Sequence, residues 1–240
     1  MSDVLVIVPT FNERESLASV LTAICQVQPR VDVLVVDDNS PDGTGQLADE
    51  FARANPTVHV IHREAKHGLG PAYIAGFYWA VDRDYDWVVQ IDADGSHDPR
   101  VIPTLLAVAR GIKADLVLGS RWVTDGRVDG WSVARQVVSR TGNGFARFAL
   151  RSRVRDLTAG FRVLRVEALR QLHLETIASS GYCFQIEIAD RVEQSGGMII
   201  EHPITFIERV AGKSKMHFGI VVEALTRISA WGIKRWFLRR

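Results

Sequence analysis

Trp87-Val88-Val89-Gln90-Ile91-Asp92-Ala93-Asp94-Gly95-Ser96-His97 is an apolar run that stops abruptly in acidic, small and turn-forming residues. That pattern describes a buried strand ending at a sheet edge. Four more runs share it, at residues 4–8, 33–36, 58–61 and 115–118. Helical patterns follow them from near Glu15, after Pro41 and Gly43, over 72–82 and after Pro99. Apolar runs separated by helices read as parallel strands covered on both faces. The expected fold class is α/β, a doubly wound, mostly parallel sheet with helices on both faces, built over about the first 120 residues.

In such sheets ligands bind beyond the carboxyl ends of the strands. Here those ends carry Pro9-Thr10-Phe11-Asn12-Glu13, Asp37-Asp38-Asn39-Ser40, Asp92-Ala93-Asp94-Gly95-Ser96-His97 and Gly119-Ser120-Arg121. Such residues also end strands and cap helices for purely local reasons. Four such ends at one edge favour a site. With strand geometry persisting, Asp92 and Asp94 project to the same side and crowd one point. A hard divalent ion completed by substrate phosphates relieves that repulsion. Gly68-Leu69-Gly70 does not complete a dinucleotide fingerprint, and no Walker lysine motif occurs. Lys66 either meets an anion at the following helix start or is a solvated surface lysine. His97 is expected to cap a helix or buttress the aspartates instead of ligating.

The 240 residues suggest one large domain or a domain with an appendage. A 47% hydrophobic content with 24% charged residues excludes a disordered or fibrous chain. The net charge of +1 removes the whole-chain electrostatic argument for nucleic acid. Cys25 and Cys183 are too few and too distant for a disulfide framework or a C-x-x-C zinc site. A reducing compartment is therefore expected. No signal peptide is expected at the N-terminus, and no run is long enough to span a bilayer.

After Arg121 the rhythm changes. Residues 135–155 hold six arginines and no acid. A helix around 184–194, an extended piece over 198–207 broken by Pro203, and a helix-like segment from Phe218 follow. In the last of these, Trp231, Trp236 and Phe237 lie among Lys234, Arg235, Arg239 and Arg240. A basic helix with aromatics reads as membrane-interfacial, and a core-packing helix with a solvated basic end stands beside that reading.

The four strand-end motifs, with Asp37-Asp38-Asn39-Ser40 extended through Pro41-Asp42-Gly43-Thr44, occur in the order and spacing of inverting family 2 glycosyltransferases. Asp156-Leu157-Thr158-Ala159-Gly160-Phe161-Arg162, Gly181-Tyr182-Cys183-Phe184-Gln185 and the segment from Pro203 through Arg209 to Lys215 narrow the resemblance. The chain resembles the polyprenyl-phosphate (dolichyl-phosphate) mannose synthases, most closely the actinobacterial type, from about Val4 to Lys215.

The resemblance implies a glycosyltransferase A-type fold and inverting transfer of mannose from GDP-mannose to a polyprenyl monophosphate. It implies that Pro9, Phe11, Glu13, Val36 and Asp38 hold the nucleoside, and that Asp92, Ala93 and Asp94 hold the diphosphate and Mg2+ or Mn2+. Lys66 joins the donor-binding set as the possible anion contact. Arg121, Arg135, Arg209, Ser214 and Lys215 are implied to grip donor and acceptor phosphates. Arg140 stands where a lysine is expected. Ser96 stands where family members often carry a glutamine metal ligand. Asp156 is expected to orient an arginine or the acceptor loop, and it is grouped with Asp94, Arg121 and Arg209 as the catalytic set. The expected organisation is a single domain over 1–240: a nucleotide-sugar half (1–121), an acceptor half (122–215) and an amphipathic basic C-terminal helix (216–240). Expected partners are the nucleotide sugar, the lipid phosphate and a membrane surface, with a separate membrane-anchoring protein as a further candidate and no nucleic acid. The expected location is peripheral, on the cytoplasmic face. A polyprenyl-phosphate glucosyltransferase and a non-catalytic nucleotide-sugar-binding module are the competing readings.

Overall fold

The computed structural model describes residues 2–27, 30–177, 179, 181–208 and 218–237. The first apolar run forms β1 (Val4–Thr10), buried at all seven positions. Then come α1 (Arg14–Val27), β2 (Asp32–Asp37), α2 (Thr44–Ala54), β3 (Val58–His62), α3 (Leu69–Asp82) and β4 (Trp87–Gln90). A 3-10 turn (Pro99–Val101) leads into α4 (Ile102–Ile112) and β5 (Leu116–Ser120). The second half adds β6 (Arg127–Asp129), α5 (Val133–Leu150), β7 (Arg162–Arg165), α6 (Val166–Arg170) and α7 (Gly181–Gln194). It ends with β8 (Ile199–Pro203), β9 (Thr205–Ile207) and α8 (Phe218–Phe237).

Successive strand residues face opposite ways, so each buried strand feeds two cores. Leu5 and Ile7 pack with Tyr73 and Phe77 of α3 and Phe184 and Ile188 of α7. Val4, Val6 and Val8 pack on the other face with Leu17, Leu21 and Ile24 of α1 and Leu105 and Ala109 of α4. The buried positions of α1 (Leu17, Val20, Leu21, Ile24) recur at helical spacing, which is why this segment lies flat on the sheet.

The seven strands run in the order β3-β2-β1-β4-β7-β5-β8. From β1 the chain winds outward through β2 to β3. With β4 it returns to the other side of β1, so the topological switch point lies between β1 and β4. Strand β7 is the antiparallel member of this mostly parallel sheet, running against both β4 and β5. Its first residue, Arg162, lies opposite Gln90 near the end of β4 and Leu118 of β5. The preceding loop, residues 156–161, is therefore delivered to the same edge as Asp92 and Arg121. Four residues with an arginine at each end carry no period strong enough to mark such a strand in the sequence.

The arginine-rich stretch folds largely as α5, opened by Ser132, whose Oγ accepts the Arg135 N–H at 3.3 Å. Helix α8 packs on α5 and α7. A Cβ at Gly232 would lie 3.0 Å from the Ala149 carbonyl, so glycine permits the close approach. Trp236 Nε1 donates to Ala149 O at 3.2 Å, and Arg235 pairs with Asp190 at 2.7 Å. Ile228 is buried while Leu225, Ile233 and Phe237 are exposed. One face of this helix thus packs into the core, and the other is exposed. Arg239 and Arg240 lie outside the described residues.

Helix α3 meets the segment before α7 so closely that a Cβ on Gly70 would stand 2.6 Å from the Ser179 carbonyl and 3.0 Å from the Phe184 ring. Gly70→Ala should therefore lose about 1–3 kcal/mol by overpacking, despite alanine's better helix propensity. Urea denaturation measures this, and equal or higher stability would show that the contact relaxes freely.

Candidate active site

The loops after β1 and β2 are laced together before any ligand arrives. Asp37 accepts from the hydroxyls of Thr10 (2.9 Å) and Ser40 (2.6 Å) and from the Ser40 N–H (3.0 Å). Committed to three donors, it is a structural carboxylate. The N–H groups of Asn12 and Glu13 donate to Ser40 Oγ and Thr44 Oγ1, each at 3.0 Å. Asn12 and Asn39 take the left-handed conformation these turns require, which asparagine tolerates.

Of the sequence-predicted nucleoside residues, Phe11 and Asp38 reach this edge with defined partners. Lys66 is exposed, with its ammonium 4.0 Å from the Phe11 ring centroid. Asp38 accepts from Arg63 Nη1 at 2.5 Å and from the Gly68 N–H at 3.3 Å. The arginine was not singled out in the sequence, because a lone cation after an edge strand carries no pattern. Pro9 and Val36 are paired residues of β1 and β2. Val36 is fully buried, so its side chain supports the floor of the site from within the core. Glu13 N is the group that ties the loop.

Beyond β4, Asp92, Ala93, Asp94 and Ser96 form a tight turn in which Asp94 Oδ1 accepts the Ser96 N–H at 3.0 Å. That bond satisfies the turn reading. The Asp92 side chain is 33% exposed and Asp94 is 6% exposed. His97 does not cap a helix; neighbouring Asp98 does, by accepting the Arg100 N–H. The His97 ring packs against Phe161 and Phe206, each 5.2 Å away, with Nε2 3.5 Å from Asp92 Oδ2. Ser96 Oγ is buried without a hydrogen-bond partner among the described residues. Two carboxylates and this orphaned hydroxyl are hard oxygen donors that fit Mg2+ or Mn2+. Among the described residues no group of three His, Cys, Asp or Glu could complete a metal cage.

Arg121, directly after β5, faces this turn across the cleft. Its Nε and Nη2 donate to Asp156 Oδ2 (2.8 Å) and Oδ1 (2.7 Å), and its backbone N–H reaches Oδ2 at 3.0 Å. Asp156 is fully buried. Burial alone would push its carboxyl up. The Arg121 charge and the hydrogen bonds from Arg121 and Thr158 outweigh that and hold it below the usual carboxylate range. A carboxylate so engaged is a partner for the arginine. Glu201 of β8 secures it from behind, accepting the Asp156 N–H at 2.9 Å, the Arg155 N–H at 2.7 Å and the Ser120 hydroxyl at 2.8 Å. Beneath the loop, Arg162 is wholly buried and donates to the carbonyls of Ala159, Leu157 and Gln185. Burial pulls its pKa down to about 9, against the opposing pull of Asp156 and Tyr73, so it stays cationic at neutral pH.

The cleft encloses about 420 Å3. Its lining brings Asp92, Asp94 and Arg121 together with the apolar Val138, Phe145, Leu225 and Ile228. Arg135 also lines it, stacked 4.0 Å from the Trp131 ring and paired with Glu208 at 2.6 Å. Arg140 does not belong to the lining; it is exposed and lies 4.6 Å from the Trp122 ring. Arg209, Ser214 and Lys215 lie outside the described residues.

A profile described as Glycosyl transferase family 2 matches residues 5–173. An undecaprenyl-phosphate mannosyltransferase of Micrococcus luteus is 48% identical over 97% of this chain and 96% of its own. A polyprenol monophosphomannose synthase of Mycolicibacterium smegmatis is 48% identical over 96% of this chain and 87% of its own. Among solved structures, a Mycobacterium tuberculosis glucosyl-3-phosphoglycerate synthase with Mn2+ and UDP-glucose superposes with a TM-score of 0.67 at 22% identity, covering 95% of this chain and 79% of that one. A mannosyltransferase of Pyrobaculum calidifontis with GDP-mannose and Mn2+ gives 0.61 at 17% identity, covering 99% and 65%. At these identities the two structures share the fold, a glycosyltransferase A-like sheet.

Asp156→Asn leaves Arg121 buried without its counter-charge and should cost about 3–5 kcal/mol near neutral pH. Because the folded carboxyl is held low, the ionised pair's contribution is complete above the unfolded pKa of about 3.9 and is lost as pH falls through the folded value. Urea melts should therefore show the gap between wild type and variant closing below about pH 4. A gap unchanged down to about pH 2 would remove the pair as a source of acid sensitivity.

Proposed function

The chain belongs to glycosyl transferase family 2, and from that premise we propose that it transfers mannose from GDP-mannose to a polyprenyl monophosphate with inversion. The observation that carries this reading is the cleft itself. Its lining joins two carboxylates and a buried arginine to a set of apolar side chains. A phosphate on a long hydrocarbon chain matches both kinds of lining. The two bacterial relatives are named for the same lipid-phosphate chemistry, and the Pyrobaculum enzyme holds GDP-mannose.

In this reading Phe11, Glu13 and Asp38 orient the nucleoside along the β1 and β2 ends, with Arg63 holding Asp38 and Lys66 beside Phe11. Asp92 and Asp94, with Ala93 and Ser96 in the same turn, would hold the divalent ion, which would neutralise the leaving diphosphate. A phosphate oxygen of the acceptor attacks the anomeric carbon as the bond to the diphosphate breaks, and GDP departs. The acceptor monoester, with a second pKa of about 6, is already a dianion near neutral pH. It needs positioning by arginines more than a protein base. Arg121, Arg135, Arg209, Ser214 and Lys215 are the proposed grip, with Arg140 at the outer edge.

No described helix is long and apolar enough to cross a membrane. Helices α5 and α8 instead expose Val137, Val138, Phe148, Ile233 and Phe237 beside Arg140, Arg151 and Lys234. That composition supports peripheral attachment to an anionic surface on the cytoplasmic face, where the lipid acceptor is presented. The nucleotide-sugar half, the acceptor half and the C-terminal helix then act as one domain.

Asp94→Ala should lower turnover by at least about 10²-fold with an unchanged circular dichroism spectrum. Near-wild-type turnover at saturating Mn2+ would sink the metal assignment. Asp38→Ala should raise the KM for GDP-mannose without altering metal dependence. The rate should climb through about pH 6 and then stay level, and a second rise above neutrality that vanishes in Asp156→Asn would show that a protein base is needed. Phe148→Glu with Phe237→Glu should reduce flotation with anionic vesicles; equal flotation would move the docking face elsewhere.

A further inference from the structure

The polar chain around Arg121 continues past Asp156 into the amphipathic helix. Thr158 Oγ1 accepts from Arg121 Nη2 at 2.8 Å and donates to Asp156 Oδ1 at 3.2 Å. The same oxygen accepts from Asn143 Nδ2 at 3.0 Å, and Asn143 Oδ1 accepts the Thr158 N–H at 3.3 Å. The asparagine amide thus grips one residue at both its hydroxyl and its backbone. Nδ2 also donates to Ser139 O at 3.0 Å within the helix.

Asn143 is 2% exposed and is the one polar residue among those α5 buries, beside Ala146, Ala149 and Leu150. Asparagine is a poor helix former, and the glycines on either side of it are poorer. A Cβ at Gly142 or Gly144 would meet nothing, so packing does not explain this mid-helix sequence. The residue's place is explained by the clip it makes.

We propose that Asn143 is a positioning residue for the transfer reaction, clipping Thr158 to α5 and so holding the Arg121 guanidinium in register with the acceptor phosphate. The inference rests on the proposed function. It extends that reading by tying the orientation of Arg121 to the helix that bears the exposed apolar face. The amide offers its donor and its acceptor on two separate atoms, one for the Thr158 hydroxyl and one for its backbone N–H. In Asn143→Asp the donor is gone and a second carboxylate is brought to the Thr158–Asp156 end of the chain.

The test uses the full chain with GDP-mannose and a short-chain polyprenyl phosphate. Asn143→Ala should reduce kcat about tenfold or more, as small misplacements of reacting groups do. Calorimetric affinity for GDP-mannose should stay unchanged. Thr158→Val should have a similar effect, and the double variant should be little worse than either single one, because both break one chain. Effects that multiply, or an unchanged kcat, would overturn the proposal. The 15N-detected Nε–H resonance of Arg121 provides a readout independent of turnover. It should shift or broaden in Asn143→Ala and stay in place in Gly144→Ala, which changes helix stability without touching the clip. A resonance unmoved in Asn143→Ala would overturn the proposal. If the wild type transfers no mannose, the functional reading fails, and this resonance alone decides whether Asn143 positions Arg121.

Discussion

The buried pair between Arg121 and Asp156 is the constraint around which the second half of the chain is arranged. Taking both charges out of water is costly, and it succeeds only where every remaining donor and acceptor is met. Glu201 from β8, Thr158 from the loop before β7 and the Arg121 backbone supply those contacts. The antiparallel β7 follows from the same need. A strand that starts near the carboxyl ends of β4 and β5 leaves its preceding loop where Asp156 can face Arg121. Arg162, at the first position of β7, ties that loop to α7 through three backbone carbonyls.

The donor side is held by a different means. Short polar side chains bridge the loops after β1 and β2, and the Asp37 carboxylate accepts three of these bonds. Its neighbour Asp38 is oriented by Arg63 and the Gly68 N–H. Binding groups held by their own partners lose little freedom when a ligand arrives. The more exposed Asp92 borders the cleft and leans on a histidine packed between two phenylalanines. The cleft is also lined by apolar side chains of α5 and α8.

These two helices resolve a conflict between stability and exposure. Val133, Val137, Val138 and Phe148 stand largely in solvent on α5, an apolar patch that a monomeric soluble protein rarely leaves uncovered without a use for it. The helices that carry it are nevertheless anchored from within, through the Gly232–Ala149 approach, the Arg235–Asp190 pair and the Asn143–Thr158 clip. An outward apolar face on an inwardly tethered helix pair suits contact with lipid without loss of the fold.

The sequence by itself determined the sheet and the edge where the site lies. Residues 4–8 are apolar throughout and residues 87–91 at all but Gln90, and the acidic and turn residues that end these runs are adjacent in the chain. Local order was enough to locate Asp38, Asp92, Asp94 and Arg121 at one rim. Only the tertiary structure decided which of these are paired, and with whom. Arg63 meets Asp38 across 25 positions, Glu201 meets Asp156 across 45, and Asn143 meets Thr158 across 15. None of the three partners belongs to a periodic pattern or a turn signal, because what places it is the packing of separate elements. The short antiparallel β7 was hidden for the same reason. Its pairing with β4 and β5 is a property of the sheet, and four residues bounded by arginines carry too little of that sheet in themselves to reveal it.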